Sequence, residues 1–528
     1  MDQLIDKITL AASFAAVFAV YLTWLSIYRL FFRRVAHIPG PKLAALTYYY
    51  QSYYDFFPYQ GQFIFQLEKL HKRYGPVIRM GPDEVHVNDA RFYKEMYGLS
   101  TRRRNKSPIW YWMEGLGAVG DQSMFITLDH DHHRLRKAGL GSFFSKRKVQ
   151  ELEPRVKENV LLLRQRLLER VGGAAVDLKD AFGGMALDII TLYCFNRCFG
   201  ALDRPDLGRE MSQLMGVGVK INPFGRTLPT IARTVMHLAK WTLNWSGLVS
   251  TTGDFLAIAD RLSSEARDEA IQDLSQGKYS LTDDADSRTV FNSMMRSDVL
   301  PEHEKTEARL QADGMTLIAA GFDTTSRSLT VIFYHLLTKD AIRDRVLEEI
   351  RTLMPTPTSP LPSVAQLEQL PYLTCIIHEG TRLAHGVAGR LTRIAPEEDL
   401  HYKAGEGHVY TIPRGTTFGQ SSYLVHTDES IYPQPTKFQP ERYWSEDSSK
   451  PTDALHYLVP FGKGTRMCSG INLAFAELYL TIAAIIGTVD MRIAPGTTER
   501  DVTLVQELFV GVLPEKPGVR VNVLGRLE

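Results

Sequence analysis

The distribution of apolar and polar positions separates one long uncharged segment from the rest of the chain. Ile8 to Tyr28 contains no charged residue, and this is about the length that a helix needs to cross a bilayer. Arg29, Arg33 and Arg34 follow directly, so the positive-inside rule places everything after the helix in the cytosol. We therefore predict an N-terminal membrane anchor over residues 1–34.

A cleaved signal peptide is the competing interpretation of this segment. In a signal peptide, basic residues precede the apolar run and a small-residue cleavage site ends it. Here the arginines follow the run and no such site is evident, which favours a retained anchor. The same topology predicts that the glycosylation sequons at Asn105 and Asn244 stay unmodified, because a cytosolic domain does not meet the transferase.

The remaining positions predict a mainly helical body. Ile38-Pro39-Gly40-Pro41 predicts a stiff hinge over residues 35–45, since proline restricts its own backbone and that of the preceding residue. Apolar-periodic runs predict helices within these ranges: Gln62 to Tyr74, Pro154 to Gly200 and Glu304 to Leu353. Shorter segments predict strands at Val77 to Met80, Val85 to Val87, Val409 to Phe418 and near Val502 to Val523. We expect a mainly α fold with a minor β region, forming a single catalytic domain over residues 46–528.

Composition excludes several protein classes. The 528 residues are 44% hydrophobic and 23% charged, with a formal net charge of +1. These values describe an ordinary globular protein, neither disordered nor nucleic-acid-binding. The four cysteines are too few and too scattered for a disulfide scaffold, which fits a reducing compartment; they are Cys194, Cys198, Cys375 and Cys468.

One of these cysteines lies in a glycine-rich loop that leads into an apolar run. The loop, Phe461 to Gly470, reads F-G-K-G-T-R-M-C-S-G. Gly464 and Gly470 allow a tight turn and the close approach of a flat ligand. Cys468 would lie at a helix N-terminus, where backbone N–H groups favour the thiolate. A lone thiolate suits one axial bond to a large metal complex better than a four-ligand zinc site; the alternative is a buried structural cysteine.

The same loop matches, at every fixed position, the haem-binding signature F-x-x-G-x-R-x-C-x-G of the cytochrome P-450 monooxygenases. The chain therefore resembles that family. The resemblance implies the cytochrome P-450 fold and haem b as the cofactor. It implies that Cys468 is the axial ligand of the haem iron and that Phe461, Arg466 and Gly470 belong to the haem-binding loop.

Two further segments suggest a supporting ion-pair network. Glu379 and Arg382 lie three residues apart in a predicted helix, so they share one face and can pair. Most such pairs are solvated surface contacts. However, this spacing resembles the family's E-x-x-R, and Pro440 to Tyr443 resembles its P-E-R-F. The resemblance implies that Glu379, Arg382 and Arg442 form a buried network beneath the haem-side loop.

Small residues interrupt the long helical run at Ala320-Gly-Phe-Asp-Thr-Thr325. Glycine in a helix interior costs roughly 0.5–1 kcal/mol relative to alanine, so small residues here indicate either close helix packing or room for a diatomic ligand. The stretch resembles the family's oxygen-binding motif A/G-G-x-D/E-T. That resemblance implies that Thr324 hydrogen-bonds dioxygen and that Asp323 takes part in relaying protons.

A cluster of possible metal ligands lies at His130, Asp131, His132 and His133. Adjacent residues at the start of a helix cannot converge on one ion, so we disfavour a metal site. The resemblance instead implies that His133 and Lys137 bind the haem propionates, with lysine where the family usually has arginine. Arg390 matches another propionate-binding arginine of the family.

The resemblance also implies partners and a location. The chain has no glycine fingerprint for NADPH or flavin, so electrons are expected from a membrane-anchored NADPH–cytochrome P-450 reductase, with cytochrome b5 as a further candidate. The enzyme is expected in the endoplasmic reticulum membrane as a single-pass protein with a cytosolic catalytic domain.

Family position assigns four segments to the substrate pocket: Ile109 to Ser123, Leu317 to Ala320, Gly386 to Ala388 and Leu508 to Val510. Their mainly apolar or small side chains suit a lipophilic molecule. The segment ending in Ser-Phe-Phe-Ser145 resembles filamentous-fungal members in secondary metabolism, such as the trichodiene oxygenase group. We therefore expect a terpenoid or meroterpenoid substrate.

Three functions remain to be separated. The first is an O2-dependent monooxygenase that inserts one oxygen atom into a C–H or C=C bond. The second is a haem-thiolate isomerase or dehydratase that needs neither O2 nor NADPH, and the presence of Asp323-Thr324 argues against it. The third is a non-enzymatic membrane carrier of haem or sterol, which would not need the thiolate and the oxygen-side motif together.

Overall fold

The computed structural model describes residues 2–98, 101–108, 123–141, 143–228, 231, 234, 261, 264–269, 271–272, 289–445, 452–514 and 518–527. The α-helices in these ranges are α1 Asp2–Ile27, α2 Lys42–Leu46, α3 Tyr50–Phe56, α4 Phe63–Tyr74, α5 His130–Gly141, α6 Lys146–Leu168, α7 Leu178–Phe195, α8 Arg209–Thr227, α9 Val290–Met295, α10 Glu307–Thr338, α11 Asp340–Arg351, α12 Val364–Leu367, α13 Pro371–Ala384, α14 Ser422–His426, α15 Asp453–His456 and α16 Ile471–Ile486.

The β-strands are short and form a minor part of the fold. They are β1 Val77–Gly81, β2 Glu84–Val87, β3 Asn105–Lys106, β4 Val176–Asp177, β5 Arg393–Ile394, β6 Leu400–Lys403, β7 Val409–Ile412, β8 Thr417–Gly419, β9 Val489–Ile493, β10 Gln506–Leu508, β11 Val510–Val512 and β12 Arg520–Arg526.

One sheet has five strands in the order β1-β2-β8-β5-β3. Strands β2 and β8 are parallel, and the other neighbours are antiparallel. A second sheet has the order β4-β12-β9, and β6–β7 and β10–β11 are separate two-stranded pairs. The expected combination of a mainly helical body and a minor β region is confirmed.

The N-terminal helical segment matches the predicted anchor. Gln3–Phe32 is long and apolar enough to cross a membrane, and none of its most apolar window is buried against the protein. A stretch of π-helix, Tyr28–Phe32, ends it. The chain thus has one apolar N-terminal helix that is consistent with membrane anchoring.

The segment predicted as a hinge packs onto the body. Val35 and Ile38 are buried, and the backbone N–H of Arg79 donates to the carbonyl of Pro39 over 2.7 Å. A Cβ on Gly40 would lie 2.2 Å from the Arg79 carbonyl oxygen, so this close approach requires glycine. The segment that follows the N-terminal helix is therefore held against strand β1.

Two long helical predictions need new boundaries. The helix predicted from Pro154 begins earlier, at Lys146, because the Ser145 side chain caps it by accepting from the N–H of Lys148. Pro154 consequently lies inside α6, and the run is broken by strand β4 before α7 begins. The helix predicted from Glu304 to Leu353 is divided into α10 and α11 at Lys339, whose backbone is not helical.

Helix α10 runs through the hydrophobic core and packs against α7, α13 and α16. Gly321 allows its close approach to α7, because a Cβ there would lie 2.8 Å from Cγ1 of Ile190. Of the two reasons considered for this glycine, close helix packing is the one that the contacts support. Room for a diatomic ligand must come from other residues of the motif.

Candidate active site

The cysteine loop is closed by its own backbone hydrogen bonds. The N–H of Cys468 donates to the carbonyl of Phe461 over 2.9 Å, and the N–H of Met467 donates to that of Gly464 over 3.1 Å. Gly464 has φ +78°, and a Cβ there would lie 1.8 Å from the carbonyl oxygen of Tyr97. The loop therefore depends on glycine at this position and presents Cys468 just before α16.

The Cys468 side chain is exposed, yet its thiol is desolvated. Desolvation raises the pKa of the thiol, and this outweighs the N–H of Gly470 and the charge of Lys137, which both lower it. A side chain that lines an internal cavity has both properties.

The Glu379–Arg382 pair is buried and bidentate. Arg382 donates to both carboxylate oxygens of Glu379 over 2.8 Å, and neither side chain has any exposed area. Arg442 donates from Nε to Glu379 over 3.0 Å, and the N–H of Gln439 donates over 2.9 Å. The sequence-predicted trio of Glu379, Arg382 and Arg442 is thus brought together.

This network reaches the cysteine loop through hydrogen bonds. Arg382 donates to the carbonyl of His426 over 2.7 Å, and Nε2 of His426 accepts from the N–H of Val459 over 3.0 Å. The carbonyl of Val459 in turn accepts from Gly462 over 3.0 Å. The ion pair on α13 therefore supports the loop that carries Cys468.

Thr324 lies on α10 beside accessible small residues. Ala319 and Ala320 are exposed although their helix crosses the core, and the Thr324 hydroxyl donates to the carbonyl of Ala320 over 2.9 Å. A Cβ on Gly386 would lie 3.8 Å from Thr324. Room beside the helix is thus left by the two alanines and by Gly386.

Asp323 belongs to an ion-pair cluster. Arg327 lies 2.7 Å and Lys179 3.7 Å from its carboxylate oxygens. Burial opposes ionisation of Asp323, but these two cations hold its pKa below the ordinary value. Asp323 is therefore ionised and paired while its neighbour Thr324 lines the cavity.

Four cationic side chains lie near the cysteine loop. We call Lys106, Lys137, Arg393 and Arg466 the cation cluster. Burial and the charge of Arg393 lower the pKa of Arg466 to about 9, against a smaller opposing effect of Asp129. Arg466 donates to the carbonyls of Thr127, Leu128 and Asp129, and Arg393 donates to that of Thr392; among the described residues, neither forms an ion pair with a carboxylate.

His133 lies beside this cluster. Burial and the charges of Arg466, Lys106 and Lys137 lower the pKa of the histidine to about 2, and its buried Nδ1 has no partner in the described structure. Lys137 donates to the carbonyls of Thr465 over 2.9 Å and Met467 over 2.7 Å. Both residues that the resemblance assigned to haem propionates therefore lie at the cysteine loop.

Arg390 has a different environment. It donates to Glu84 over 3.2 Å and to Gln51 over 2.6 Å, so its guanidinium is bonded to strand β2 and to helix α3. The residue that faces Arg466 is Arg393, three positions later.

The other possible metal ligands also have separate partners: His132 bonds to Glu304 and Asp131 pairs with Arg103.

Comparison with known proteins decides the family. The cytochrome P-450 family model matches residues 39–520. The chain is a cytochrome P-450. It is 77% identical over 525 residues to cytochrome P-450 monooxygenase ucsK of an Acremonium species, covering 99% of this chain and 100% of the relative.

More distant relatives are also fungal oxygenases. Cytochrome P-450 monooxygenase TRI4 of Trichoderma arundinaceum is 32% identical over 526 residues, covering 99% of this chain and 97% of the relative. N-acetyltryptophan 6-hydroxylase ivoC of Emericella nidulans is 34% identical over 498 residues, with 93% and 92% covered. A crystal structure of a cytochrome P-450 named CYP102L1 superposes with TM-score 0.68 at 18% identity, covering 88% of this chain and 94% of that one, and shows the shared fold.

This cytochrome P-450 is a monooxygenase with haem b as its cofactor. The described residues fit that group. Arg393 is buried and Arg466 is half-buried; cations in such positions are costly unless anions compensate them, and the two propionates of haem b are such anions. The accessible thiol of Cys468 and the open space at Gly470, where a Cβ would meet nothing within 4 Å, fit a flat group lying over the loop.

Sequence reasoning overlooked Arg393 and Glu477. The R-L-T-R spacing from Arg390 to Arg393 offers two candidates for the propionates: Arg390, which stays a prediction, and Arg393, which lies on β5 opposite Phe418. Glu477 is the single charged residue of the apolar run in α16, and this isolated charge is the sequence feature that could have identified it. Burial raises its pKa to about 8, and Thr325 is its hydrogen-bond partner.

Proposed function

We propose that this cytochrome P-450 inserts one oxygen atom of O2 into a C–H or C=C bond of a lipophilic small molecule in fungal secondary metabolism. The supporting observations are the accessible thiol of Cys468 in the glycine-rich loop and, on α10, the Thr324 hydroxyl beside the accessible Ala319 and Ala320. A molecule held there would lie between Thr324 and the cysteine loop.

The roles of the residues follow from their positions. Cys468 would bind the haem iron, and Phe461, Arg466 and Gly470 would shape the loop around it. Arg393 and Arg466, with His133 and Lys137, would face the propionates. When bound, haem b supplies the electron-transfer and oxygen chemistry.

The protein's own residues around Thr324 would control the transfer of protons. The Thr324 hydroxyl is bonded to the Ala320 carbonyl and can turn its proton towards the cavity. Asp323 is ionised by Arg327 and Lys179, so it can accept a proton on the far side of the same helical turn. Passing a proton from Asp323 to Thr324 requires Asp323 to leave these two cations.

The walls of the cavity support an apolar substrate. Ala319, Ala320 and Val387 are partly or fully accessible, and Phe125 and Phe509 meet edge to face with ring centres 5.8 Å apart. Pocket positions 109–122 lie outside the described residues. We propose a terpenoid or meroterpenoid substrate; an aromatic substrate is the second candidate, because the relative named N-acetyltryptophan 6-hydroxylase has a comparable identity.

We further propose that the N-terminal helix anchors the enzyme in the endoplasmic reticulum membrane, with residues 35–45 as the docked hinge and residues 46–528 as a cytosolic catalytic domain. Electrons would come from NADPH–cytochrome P-450 reductase, with cytochrome b5 as a further donor. Asn105 accepts from the N–H of His130 over 2.8 Å, and so has a structural role; Asn244 lies outside the described residues. Glycosidase treatment that changes the mass of the native protein would contradict this topology.

The decisive experiment is spectroscopic and then catalytic. The reduced, CO-treated holoenzyme should show the Soret band of a thiolate-ligated haem, and Cys468→Ser should lose it. Candidate terpenoids and aromatics are then incubated with reductase and NADPH. A product that carries one oxygen from labelled O2 supports the proposal, whereas an isomerised or dehydrated product formed without NADPH would replace it with the isomerase function.

A further inference from the structure

Prolines and hydroxyl residues are concentrated in the connection between α11 and α12. Residues 352–363 read T-L-M-P-T-P-T-S-P-L-P-S. Thr356 and Ser359 are each followed by proline, and Pro357 also stands two residues before Ser359. A serine or threonine before proline is the minimal target of proline-directed protein kinases, and a second proline at this spacing is the pattern that mitogen-activated protein kinases prefer. Because the pattern is short, the structure around it has to decide whether it can act as a site.

The core holds both ends of this connection and leaves its middle outside. Met354 is 3% exposed, and Leu361 packs against the main hydrophobic cluster. Between them, Thr356 and Thr358 are exposed and Ser359 is partly exposed. The segment is therefore a short external loop that a modifying enzyme can reach.

The three hydroxyl groups of the loop meet in one turn. The N–H of Ser359 donates to the carbonyl of Thr356 over 3.0 Å, and the N–H of Thr356 donates to the Ser359 hydroxyl oxygen over 3.1 Å. The Thr356 hydroxyl oxygen lies 3.0 Å from that of Ser359 and 3.1 Å from that of Thr358. A phosphate carries a charge of about −1.5 to −2, so two phosphates on this turn would repel each other strongly. The turn therefore has room for one phosphate per chain.

A cation lies close to the loop. Nζ of Lys157 donates to the carbonyl of Leu361 over 3.2 Å and lies 3.0 Å from Oε1 of Glu153. Leu361 is two residues after Ser359, so their Cα atoms are at most about 7 Å apart. A phosphate on Ser359 is thus within reach of Lys157 and can form a charge-assisted hydrogen bond with it.

Another serine–proline pair of this chain has a different environment. Ser107 precedes Pro108, but Ser107 is only 3% exposed, and its hydroxyl oxygen lies 3.1 Å from that of Thr417 on β8. The same dipeptide therefore occurs both in the packed body and in the external loop. Ser107 is an internal control for the effect of accessibility.

We propose that Ser359 is a phosphorylation site for a proline-directed serine/threonine kinase, and that the loop carries one phosphate, held by Lys157. The Ser359 hydroxyl oxygen forms a bond to the γ-phosphorus of ATP, the bond from that phosphorus to the β-phosphate oxygen breaks, and ADP leaves. The hydroxyl proton passes to the carboxylate base of the kinase. This inference goes beyond the proposed function and rests on its topology, which places the loop in the cytosol with kinases and ATP.

The modification would act next to the support of the cysteine loop. The N–H of Val364, the first residue of α12, donates to the Glu153 carboxylate over 3.2 Å. When Lys157 turns to the phosphate, Glu153 keeps this bond and loses its cation. Helix α12 packs against α16, which begins shortly after Cys468. The phosphate thus adds charge beside α12, on the side of the protein that carries the cysteine loop.

The first test uses the full-length holoenzyme with a purified mitogen-activated protein kinase and ATP. Mass spectrometry of the intact protein and of its peptides counts and locates the phosphate. The wild type should gain one phosphate per chain, on Ser359, and none on Ser107. Pro360→Ala keeps the hydroxyl and should slow the modification of Ser359 about tenfold or more, because the kinase loses its proline contact. Thr356→Ala is the matched control in the same turn and should still gain its phosphate on Ser359.

The contact with Lys157 has its own measurement. Phosphorus NMR of the phosphorylated holoenzyme gives the second pKa of the phosphate, which is ordinarily about 6. Lys157 should lower this pKa, because a neighbouring cation favours the dianion, and Lys157→Gln should return it to about 6. Lys146→Gln is the matched control on the same helix, since Lys146 pairs with Glu368 over 2.6 Å, and it should keep the wild-type value.

The outcomes separate this inference from the proposed function. A synthetic peptide of residues 351–364 shows that the kinase is active. If the peptide is phosphorylated and the holoenzyme is not, or if the phosphate of the wild type lies on Thr356 or Ser107, the site at Ser359 is overturned and the monooxygenase proposal still stands. Equal phosphate pKa values in the wild type and Lys157→Gln would overturn the role of Lys157. A native protein whose mass changes on glycosidase treatment would instead contradict the topology.

Discussion

Both carboxylate oxygens of Glu379 lie 2.8 Å from guanidinium nitrogens of Arg382, and neither side chain has exposed area. In such a pair, removing one partner leaves the other charge buried without compensation. Because Arg382 also holds the His426 carbonyl, the consequence extends to the loop that carries Cys468.

Glu379→Ala should therefore abolish haem incorporation rather than slow turnover. Breaking a buried pair costs about 3–5 kcal/mol, which is a large part of a typical folding free energy. The haem-to-protein ratio of the purified variant gives the measurement. Asp340→Ala, which removes an exposed carboxylate paired with Arg343 over 2.9 Å, should keep a full complement of haem; equal haem contents in the two variants would refute the structural role of Glu379.

Thr324→Ala should reduce the amount of product formed per NADPH consumed by about tenfold, which corresponds to the loss of one hydrogen bond of about 1.4 kcal/mol. Thr324→Ser keeps the hydroxyl and should retain most of the coupling. Thr338→Ala is the matched control on the same helix, since Thr338 makes the equivalent bond to the Tyr334 carbonyl over 2.8 Å. A similar loss of coupling in all three variants would mean that Thr324 has no special part in the reaction.

The two neighbouring arginines should behave differently. Arg393→Gln should speed haem dissociation, measured by transfer to apomyoglobin, because it removes a cation that faces Arg466 and the expected propionates. Arg390→Gln should lower the thermal unfolding midpoint, since Arg390 is bonded to Glu84 and Gln51, with a smaller effect on the haem dissociation rate. The reverse pattern would restore Arg390 as the propionate-binding residue.

How far the sequence predicts this site depends on whether the signal is local. The spacing of Glu379 and Arg382 is a property of one helix, and the pair forms as expected. The choice between Arg390 and Arg393 depends on strand register and on Glu84 of a distant strand, which no local pattern contains. The role of Gly321 likewise depends on Ile190 of another helix, and the ion pair of Asp55 on α3 with Arg226 on α8 joins residues 171 positions apart.

Acid should destabilise the protein through its buried neutral histidines. Burial lowers the pKa of His71 and His378 to about 4, and that of His335 to about 3, whereas an unfolded histidine has a pKa near 6.5. Between these values the unfolded state binds more protons, so the free energy of unfolding falls as the pH falls below about 6.5. Each histidine contributes up to about 1.4 kcal/mol per pH unit.

Thermal unfolding midpoints between pH 7.5 and 5 measure this effect. His335→Phe, at a site where the imidazole stacks on Phe438 with ring centres 4.5 Å apart, should reduce the slope of stability against pH. His303→Gln changes an exposed histidine and should leave the slope as it is. An unchanged slope in His335→Phe would show that this histidine does not contribute to the acid sensitivity.

Glu477 should have the opposite pH dependence. Burial raises its pKa to about 8, with a smaller opposing effect from the Thr325 hydrogen bond, while an unfolded glutamate has a pKa of about 4.3. Between these values the folded state holds the extra proton, so the free energy of unfolding falls as the pH rises towards 8 and is then constant. Glu477→Gln is a neutral isostere and should remove this decline, so that the variant gains stability over the wild type from pH 5 to pH 8.

A leucine at the same position separates charge from hydrogen bonding. Glu477→Leu also removes the titration, but it leaves the Thr325 hydroxyl without this partner next to Thr324. It should therefore match Glu477→Gln in the pH dependence of unfolding and fall below it in product formed per NADPH. Glu348→Gln, on the exposed side of α11, should alter neither quantity. If Glu477→Gln and Glu477→Leu form equal amounts of product per NADPH consumed, Glu477 only fills space between α16 and α10. Its hydrogen bond to Thr325 then has no part in positioning the oxygen-side threonines.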